Sequence, residues 1–312
     1  MNDRLDVLAV ADICVDLMLT GNVRPQFHQV EQLVDDYALE LGGSACIFAT
    51  QFVRLGGLAG LVGWTGPDMF GDFVLTKLRD LSVDTAHVRR HPEIKTGLGV
   101  ALAEPGDRAI LTYLGTIDAV QLEDLSDDLF SATRHWHIAS YFLLSRLRTH
   151  WPQWLQRCRA ANLTTSLDTN WDPAEGWEGV TELLPWIDVF LPNEAEAIAI
   201  SDESDFQMAG EKLASYGPLV VIKRGAEGAV AFQGARRWTA PAETVDASSG
   251  LVDQVGAGDN FDAGFLRGWL LGLSVDECLN LGCRCARSSL FAAGGIAAQL
   301  TENIQPDLKR KG

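Results

Sequence analysis

The stretch Asp253-Gln254-Val255-Gly256-Ala257-Gly258-Asp259-Asn260-Phe261-Asp262-Ala263-Gly264-Phe265 sets three small residues, 256 to 258, at the start of an apolar helical run. With no bulk over them, successive backbone N–H groups stay uncovered where a helix gathers its unpaired amides and the positive end of its dipole. Such a place holds an anion. It is not a Walker A loop, because the Gly-Lys-Ser/Thr ending is absent. Asp259 beside these amides adds a carboxylate able to accept a hydroxyl proton, while the amides suit the charge that builds on a transferring phosphoryl group. For this segment alone, a glycine turn with Asp259 as a helix cap is the plainer alternative.

Outward from it, short apolar runs alternate with helical patterns, as in a parallel sheet covered on both faces. Strands are expected at Leu5–Ile13, Ala59–Trp64, His135–Ala139, Leu163–Leu167, Val189–Leu191 and Leu219–Lys223. Helices are expected at Ala45–Leu55, Phe70–Leu81, Leu147–Ala160, Asn193–Ile200, Ala257–Leu271 and Val275–Ala293. The class is α/β, a doubly wound, mostly parallel sheet with helices on both faces, in one domain over 1–312. Two stretches, Val15–Leu41 and Thr96–Leu114, break the rhythm and read as strand pairs, the second around the turn Glu104-Pro105-Gly106-Asp107. Contributed by about 14–41 and 96–114, they form a small β-strand lid over the carboxyl ends of the strands, or else ordinary surface hairpins.

Hydrophobic residues make up 47% of the 312, enough for a sizeable core, and 25 basic against 42 acidic residues give a net charge of -17. A chain this acidic repels nucleic-acid backbones and anionic lipid, so neither is expected as a partner. The N-terminal run carries aspartates and does not fit a secretory signal, and no uninterrupted apolar stretch reaches about 18 residues. Six scattered cysteines suggest reduced thiols and a cytoplasmic setting. Cys283 and Cys285 form a C-x-C without a second ligand pair, which favours packing over metal.

Gly256-Ala257-Gly258-Asp259 resembles the C-terminal signature of the ribokinase family, the phosphofructokinase-B type of carbohydrate kinases, and further landmarks follow in the family's order from about residue 5 to about 300. The resemblance implies an ATP-dependent phosphotransferase with Mg²⁺, acting on a hydroxyl of a small sugar or sugar acid. In it Asp259 is the catalytic base, and Gly256, Ala257 and Gly258 form the anion hole. Gly42-Gly43, leading through Ala45 and Ala49 to Gly56-Gly57, is similar to the N-terminal signature, where the double glycine lets the backbone approach the sugar. Asp16 matches the carboxylate that binds substrate hydroxyls, and Asp12 more simply shapes the turn. Asn193 and Glu196 match an Asn-x-x-Glu motif that positions Mg²⁺ and its waters. Asp168 matches an aspartate facing the phosphates. Lys223, Gly225 and Gly228 resemble the glycine turn flanking the nucleotide, while Gly294-Gly295 and Asn280 fall on its adenine side. A homodimer through the lid strands is a further implication.

Three departures bear on substrate and ion. Gln254 stands where the family has threonine, which leaves a monovalent cation open. Cys14 and Ile47 replace two asparagines of the sugar pocket, removing hydrogen bonds that favour a standard pentose or hexose. The alternatives are a nucleoside kinase of the same fold, or a catalytically silent paralogue that binds sugar or nucleotide.

Overall fold

The computed structural model describes residues 4–104, 107–243 and 254–305. In chain order the main elements are β1 (Leu5–Val10), β2 (Cys14–Thr20), β3 (Asp36–Gly42), α1 (Ser44–Arg54), β4 (Ala59–Thr65), α2 (Met69–Asp80), β5 (Asp84–Arg90), β6 (Gly97–Glu104) and β7 (Asp107–Tyr113). Then come α3 (Leu129–Ala132), β8 (Thr133–Ile138), α4 (Trp151–Ala160), β9 (Thr164–Leu167), α5 (Val180–Leu183), β10 (Val189–Phe190), α6 (Glu194–Ser201) and α7 (Phe206–Ala214). The last are β11 (Leu219–Lys223), β12 (Ala229–Gln233), β13 (Arg236–Ala240), α8 (Ala257–Leu270) and α9 (Val275–Ser289).

Nine strands form one sheet in the order β13-β12-β11-β10-β9-β8-β1-β4-β5, all parallel except β12, which pairs antiparallel with β11 and β13 near one edge. Successive side chains of a strand point to opposite faces, and β1 shows why both faces are covered. Val7 and Ala9 pack with Phe48 and Phe52 of α1 and Phe265 of α8. Leu8 and Val10 pack on the other side with Trp136, Trp151 and Trp154. Helix α1 ends where Gly56, at φ 80°, and Gly57 donate back to Val53 and Phe52 O, a glycine stop.

A second sheet, β3-β2-β6-β7, leaves the first through the short link from β1 to β2. The two irregular stretches are thus strand pairs, β2 with β3 antiparallel and β6 with β7 antiparallel, joined by parallel β2 and β6. Their register runs to Glu104 opposite Asp107, while Pro105 and Gly106 of the expected turn lie outside the described residues. From β1 the chain runs first to β4 and β5 on one side and later returns through β8 on the other. In open α/β sheets, ligands bind beyond the carboxyl ends of the strands at such a reversal.

Candidate active site

Polar residues gather at that carboxyl edge. Asp12 follows β1, Ser140 follows β8, Asp168 and Asn170 follow β9, Asn193 follows β10, and Lys223 closes β11. The first turn of α8 meets them, with Lys223 Nζ only 3.5 Å from where a Cβ on Gly258 would sit.

Gly256 caps α8 at φ 71°, and no side chain caps that helix. The amides of its first turn therefore lack the usual side-chain acceptor, the arrangement that receives an anion. A Cβ on Gly256 would fall 2.8 Å from Gly295 Cα and 2.9 Å from Ile47 Cδ1, so the position needs glycine for space as well as for φ. Asn260 binds the two glycine segments together, donating from Nδ2 to Gly256 O at 2.7 Å and to Gly295 O at 2.8 Å. Motif reading passed over Asn260, although it adjoins Asp259.

Asp259 is partly buried. Burial first, and then the charge of Asp168, push its carboxyl up to about 7, while Lys223 and the Ser44 hydroxyl pull the other way. Beneath it lies a buried charge cluster. Lys223 Nζ donates to Asp168 at 2.7 Å and to Asp262 at 3.0 Å. Burial pulls the Lys223 ammonium down, but Asp168, Asp262 and Glu196 carry it above the usual lysine range. Burial also opposes ionisation of Asp168, yet Lys223 and its hydrogen bonds hold that carboxyl below the usual range. Asp262 is driven the opposite way by burial, well above it.

Asp16 sits on β2, between Gly42 of β3 and Gly99 of β6. A Cβ on Gly42 would lie 2.6 Å from Asp16 Cγ, and one on Gly99 would lie 2.4 Å from Asp16 Oδ1. The two glycines clear the space this carboxylate occupies, Gly99 by the same geometry as Gly42. Burial pushes the Cys14 thiol well above its usual range, with the charges of Asp16 and Asp12 adding to it, and the thiol donates toward Asp16 Oδ1 at 4.0 Å. Gly43, at φ 90°, would bring a Cβ to 2.2 Å of Asp12 O. The Asp12 carboxylate accepts from Ser44 N at 2.9 Å, Ala45 N at 3.0 Å and Ser140 Oγ at 2.6 Å, anchoring the start of α1. That is the turn-shaping place expected of it.

Asn193 and Glu196 cap α6 reciprocally. Asn193 Oδ1 accepts from Glu196 N, and Glu196 Oε2 accepts from Asn193 N, each at 2.9 Å. Glu196 is not a solvated acid, since it is 4% exposed. Burial, and then Asp168, push its carboxyl up to about 7. Ile47 is buried under the glycine loops, against Gly256 and Gly295. Gly228 is forced by the backbone of Ala240 and Ala242, which a Cβ would strike, whereas Gly225 faces open space at φ 54°. The structure does not bring Asn280 to the loops. It is exposed on α9 and donates to Asp276 O. Because Gly264 packs on Cys285 and Gly268 on Cys278, α9 runs antiparallel to α8, and Asn280 lies well down that pair from Asp259. Asp253 lies outside the described residues.

A doubly wound sheet, an uncapped helix start and a carboxylate in its first turn meet at this edge. Residues 5–302 match the model of the pfkB family of carbohydrate kinases, and the chain belongs to that family. It is 31% identical to an uncharacterized sugar kinase of Archaeoglobus fulgidus, over 73% of this chain and 90% of the relative. It is 26% identical to fructoselysine 6-kinase of Shigella flexneri, over 80% and 89% of the two chains. The fold superposes on Arabidopsis thaliana ribokinase, complexed with ribose and ATP, with a TM-score of 0.81, 22% identity and 96% of each chain covered. The chain is thus a sugar kinase of ribokinase-like fold.

Proposed function

We propose that the protein transfers the γ-phosphoryl group of ATP to a hydroxyl of a free sugar or sugar acid, with Asp259 as general base. One observation carries this: Asp259 stands in the first turn of uncapped α8, and Gly256, just ahead of that turn, packs against Ile47 of the helix that follows Gly42-Gly43. The base therefore lies between an anion-binding helix start and the backbone that lets a substrate approach. Asp16 accepts the hydroxyl protons of the substrate, as a carboxylate can from two vicinal donors. The amides of 256 to 258 receive the charge of the phosphoryl group in transit. Asp259 takes the acceptor's proton as the new P–O bond forms.

The uncapped amides fit a nucleotide phosphate. Among the described residues no group of three or more His, Cys, Asp or Glu could hold a metal. That fits Mg²⁺ carried largely by phosphates and water, with Asn193 and Glu196 ordering its waters; when bound it neutralises phosphate charge. Lys223 and Gly225 flank the phosphates, and Gly295 the nucleotide's other side. The second sheet closes over the site to exclude water, the kinase working in the cytoplasm as a homodimer. Its outer strand β7 supports that pairing, since Ile110, Leu111 and Tyr113 are more than half exposed there.

The test is ADP release from Mg-ATP across ketoses, aldoses, sugar acids and nucleosides, with Asp259→Asn alongside. Sugar-dependent turnover that the variant loses is the expected result. Turnover with nucleosides alone reassigns the acceptor to a nucleoside. Turnover unchanged in Asp259→Asn removes Asp259 as the base.

A further inference from the structure

Two carbonyls from distant parts of the chain share one side-chain amide. Asn260 is wholly buried, and its Nδ2 donates to Gly256 O at 2.7 Å and to Gly295 O at 2.8 Å. Gly256 O also accepts Asn260 N at 2.9 Å, the backbone bond of the first turn. A carbonyl oxygen has two lone pairs and a primary amide has two N–H groups, so both are fully used. Turned over, the amide would set Oδ1 against two carbonyls, and its partners therefore fix its orientation. Oδ1 is then left buried without a partner among the described residues. Leucine would fill much the same space without that cost, so the pair of N–H donors is what asparagine adds here.

A second side chain packs on the same two glycines. Ile47 is 3% exposed, and a Cβ built on Gly256 or on Gly295 would fall 2.9 Å from its Cδ1. Its Cγ2 is as near, at 3.0 Å and 2.9 Å. The glycine backbones also meet directly, since a Cβ on Gly256 would stand 2.8 Å from Gly295 Cα. Ile47 is itself held by Gln299, whose Nε2 donates to Ile47 O at 2.9 Å and to Thr50 Oγ1 at 3.0 Å. Glycine loses more freedom on ordering than any other residue, so this pair of loops needs restraint from outside to keep one shape. Ala257 N supplies little of it, donating to Gln254 O only at 3.3 Å.

We propose that Asn260 and Ile47 are positioning residues for phosphoryl transfer: Asn260 clasps Gly256 to Gly295 and Ile47 wedges against both, so that the amides at the start of α8 are set before the phosphoryl group reaches them. The proposal rests on the reading of those amides as the receiver of that group. Donors ordered in advance stabilise developing charge without reorganising during the reaction. The peptide between Gly256 and Ala257 shows how the order is imposed. Its carbonyl is held by two hydrogen bonds, and across the trans bond the Ala257 N–H must face the opposite way. Each residue acts through glycine backbone. Ile47 stands where the family resemblance expects an asparagine of the sugar pocket, and its apolar branches serve the anion loop instead.

The first readout needs no acceptor. Glycine amides are followed by ¹⁵N NMR as Mg-ATP is added, with Gly217 and Gly234, which face open space, as references. In the parent the Gly256 and Gly258 signals shift. In Asn260→Leu, which has no donors, that shift falls to about half or less while the references stay in place. With the acceptor identified by the panel, Asn260→Leu lowers kcat about 10- to 100-fold at little changed KM for Mg-ATP, the pattern of a contribution made in the transition state. The kcat is taken per nucleotide-binding site, so a smaller folded fraction does not count as slower chemistry. Asn260→Thr falls between, because a threonine hydroxyl reaches the carbonyl four residues back, here Gly256 O, and gives up Gly295 O. Ile47→Val, which removes one terminal methyl, lowers kcat about 2- to 5-fold in the same pattern, and with Asn260→Thr it decides the matter where Asn260→Leu does not fold. Amide shifts that match the parent's in Asn260→Leu overturn the proposal. So does a kcat within about twofold of the parent in Asn260→Thr and Ile47→Val together, or a loss confined to KM. Parent Gly256 and Gly258 signals that ignore Mg-ATP overturn instead the reading of the α8 amides, and the proposal with it.

Discussion

As the proposed base, Asp259 has to be ionised, and it sits where ionisation is disfavoured. Unfolded, its carboxyl titrates near the ordinary 3.8; folded, burial and Asp168 move it up to about 7. Between those values the folded state holds a proton that the unfolded state has released. Stability therefore falls as pH rises through the window, and the loss persists above it. Asp259→Asn cannot titrate. It is expected to melt above the parent near about pH 8, with the gap closing near about pH 4 as the parent takes up its proton. Thermal melts at the two pH values check this, and a gap that does not depend on pH contradicts it. The place of Asp259 in the first turn of α8 was legible in the sequence because Gly-Ala-Gly announces a helix start. Ser140 and Asn170 were not, for a physical reason: they are ordinary polar residues 30 positions apart, and only the parallel β8–β9 pair brings them together. Gly99 escaped notice because its role, clearing room for Asp16, exists only once β2 and β6 pair.

Among elements, β9, β11 and α8 are joined by one ammonium group. Lys223 closes β11, Asp168 follows β9 and Asp262 lies on α8, and their side chains are 12%, 3% and 1% exposed. Removing one member of a buried charge set strands the others. Lys223→Met should therefore cost about 3 kcal/mol or more at neutral pH, seen as a lower urea midpoint at unchanged m. The loss should shrink in acid, where the two carboxyls take up protons, and Lys223→Met/Asp168→Asn should recover part of it. A double variant no more stable than the single one would show that charge is not what Lys223 balances. The elements that meet here were the readable ones, since β11 was expected at Leu219–Lys223 and found there, and α8 differs by one residue at its end. The edge strands were harder. Asp84–Arg90 and Arg236–Ala240 were not anticipated, because their exposed faces carry aspartate, threonine and arginine in place of an apolar run. Charged edges resist pairing with other chains, at the expense of a clear strand signal. The helix expected from Leu147 begins instead at Trp151, after a 3₁₀ segment over Ser145–His150.

At the scale of the whole molecule the governing quantity is charge. The chain carries -17, and its proposed nucleotide is itself an anion. The basic residues at the carboxyl edge offer little relief at long range, since Lys223 is paired with Asp168 and Asp262, and Arg224 with Glu194 at 2.6 Å. Binding must then rest on contacts made after arrival, namely the α8 amides and cations that come with the nucleotide. Approach, by contrast, is opposed by the mean field of the protein. Fields of this kind act on association rates and are screened over a Debye length of about 10 Å at 0.1 M salt. The association rate of Mg-ATP, followed by stopped-flow tryptophan fluorescence, should accordingly rise as NaCl increases from about 10 to 150 mM, with a smaller change in dissociation. A rate that falls with salt would mean that the mouth of the site is locally positive despite the acidity of the chain, and that steering, not only the glycine amides, brings the nucleotide in.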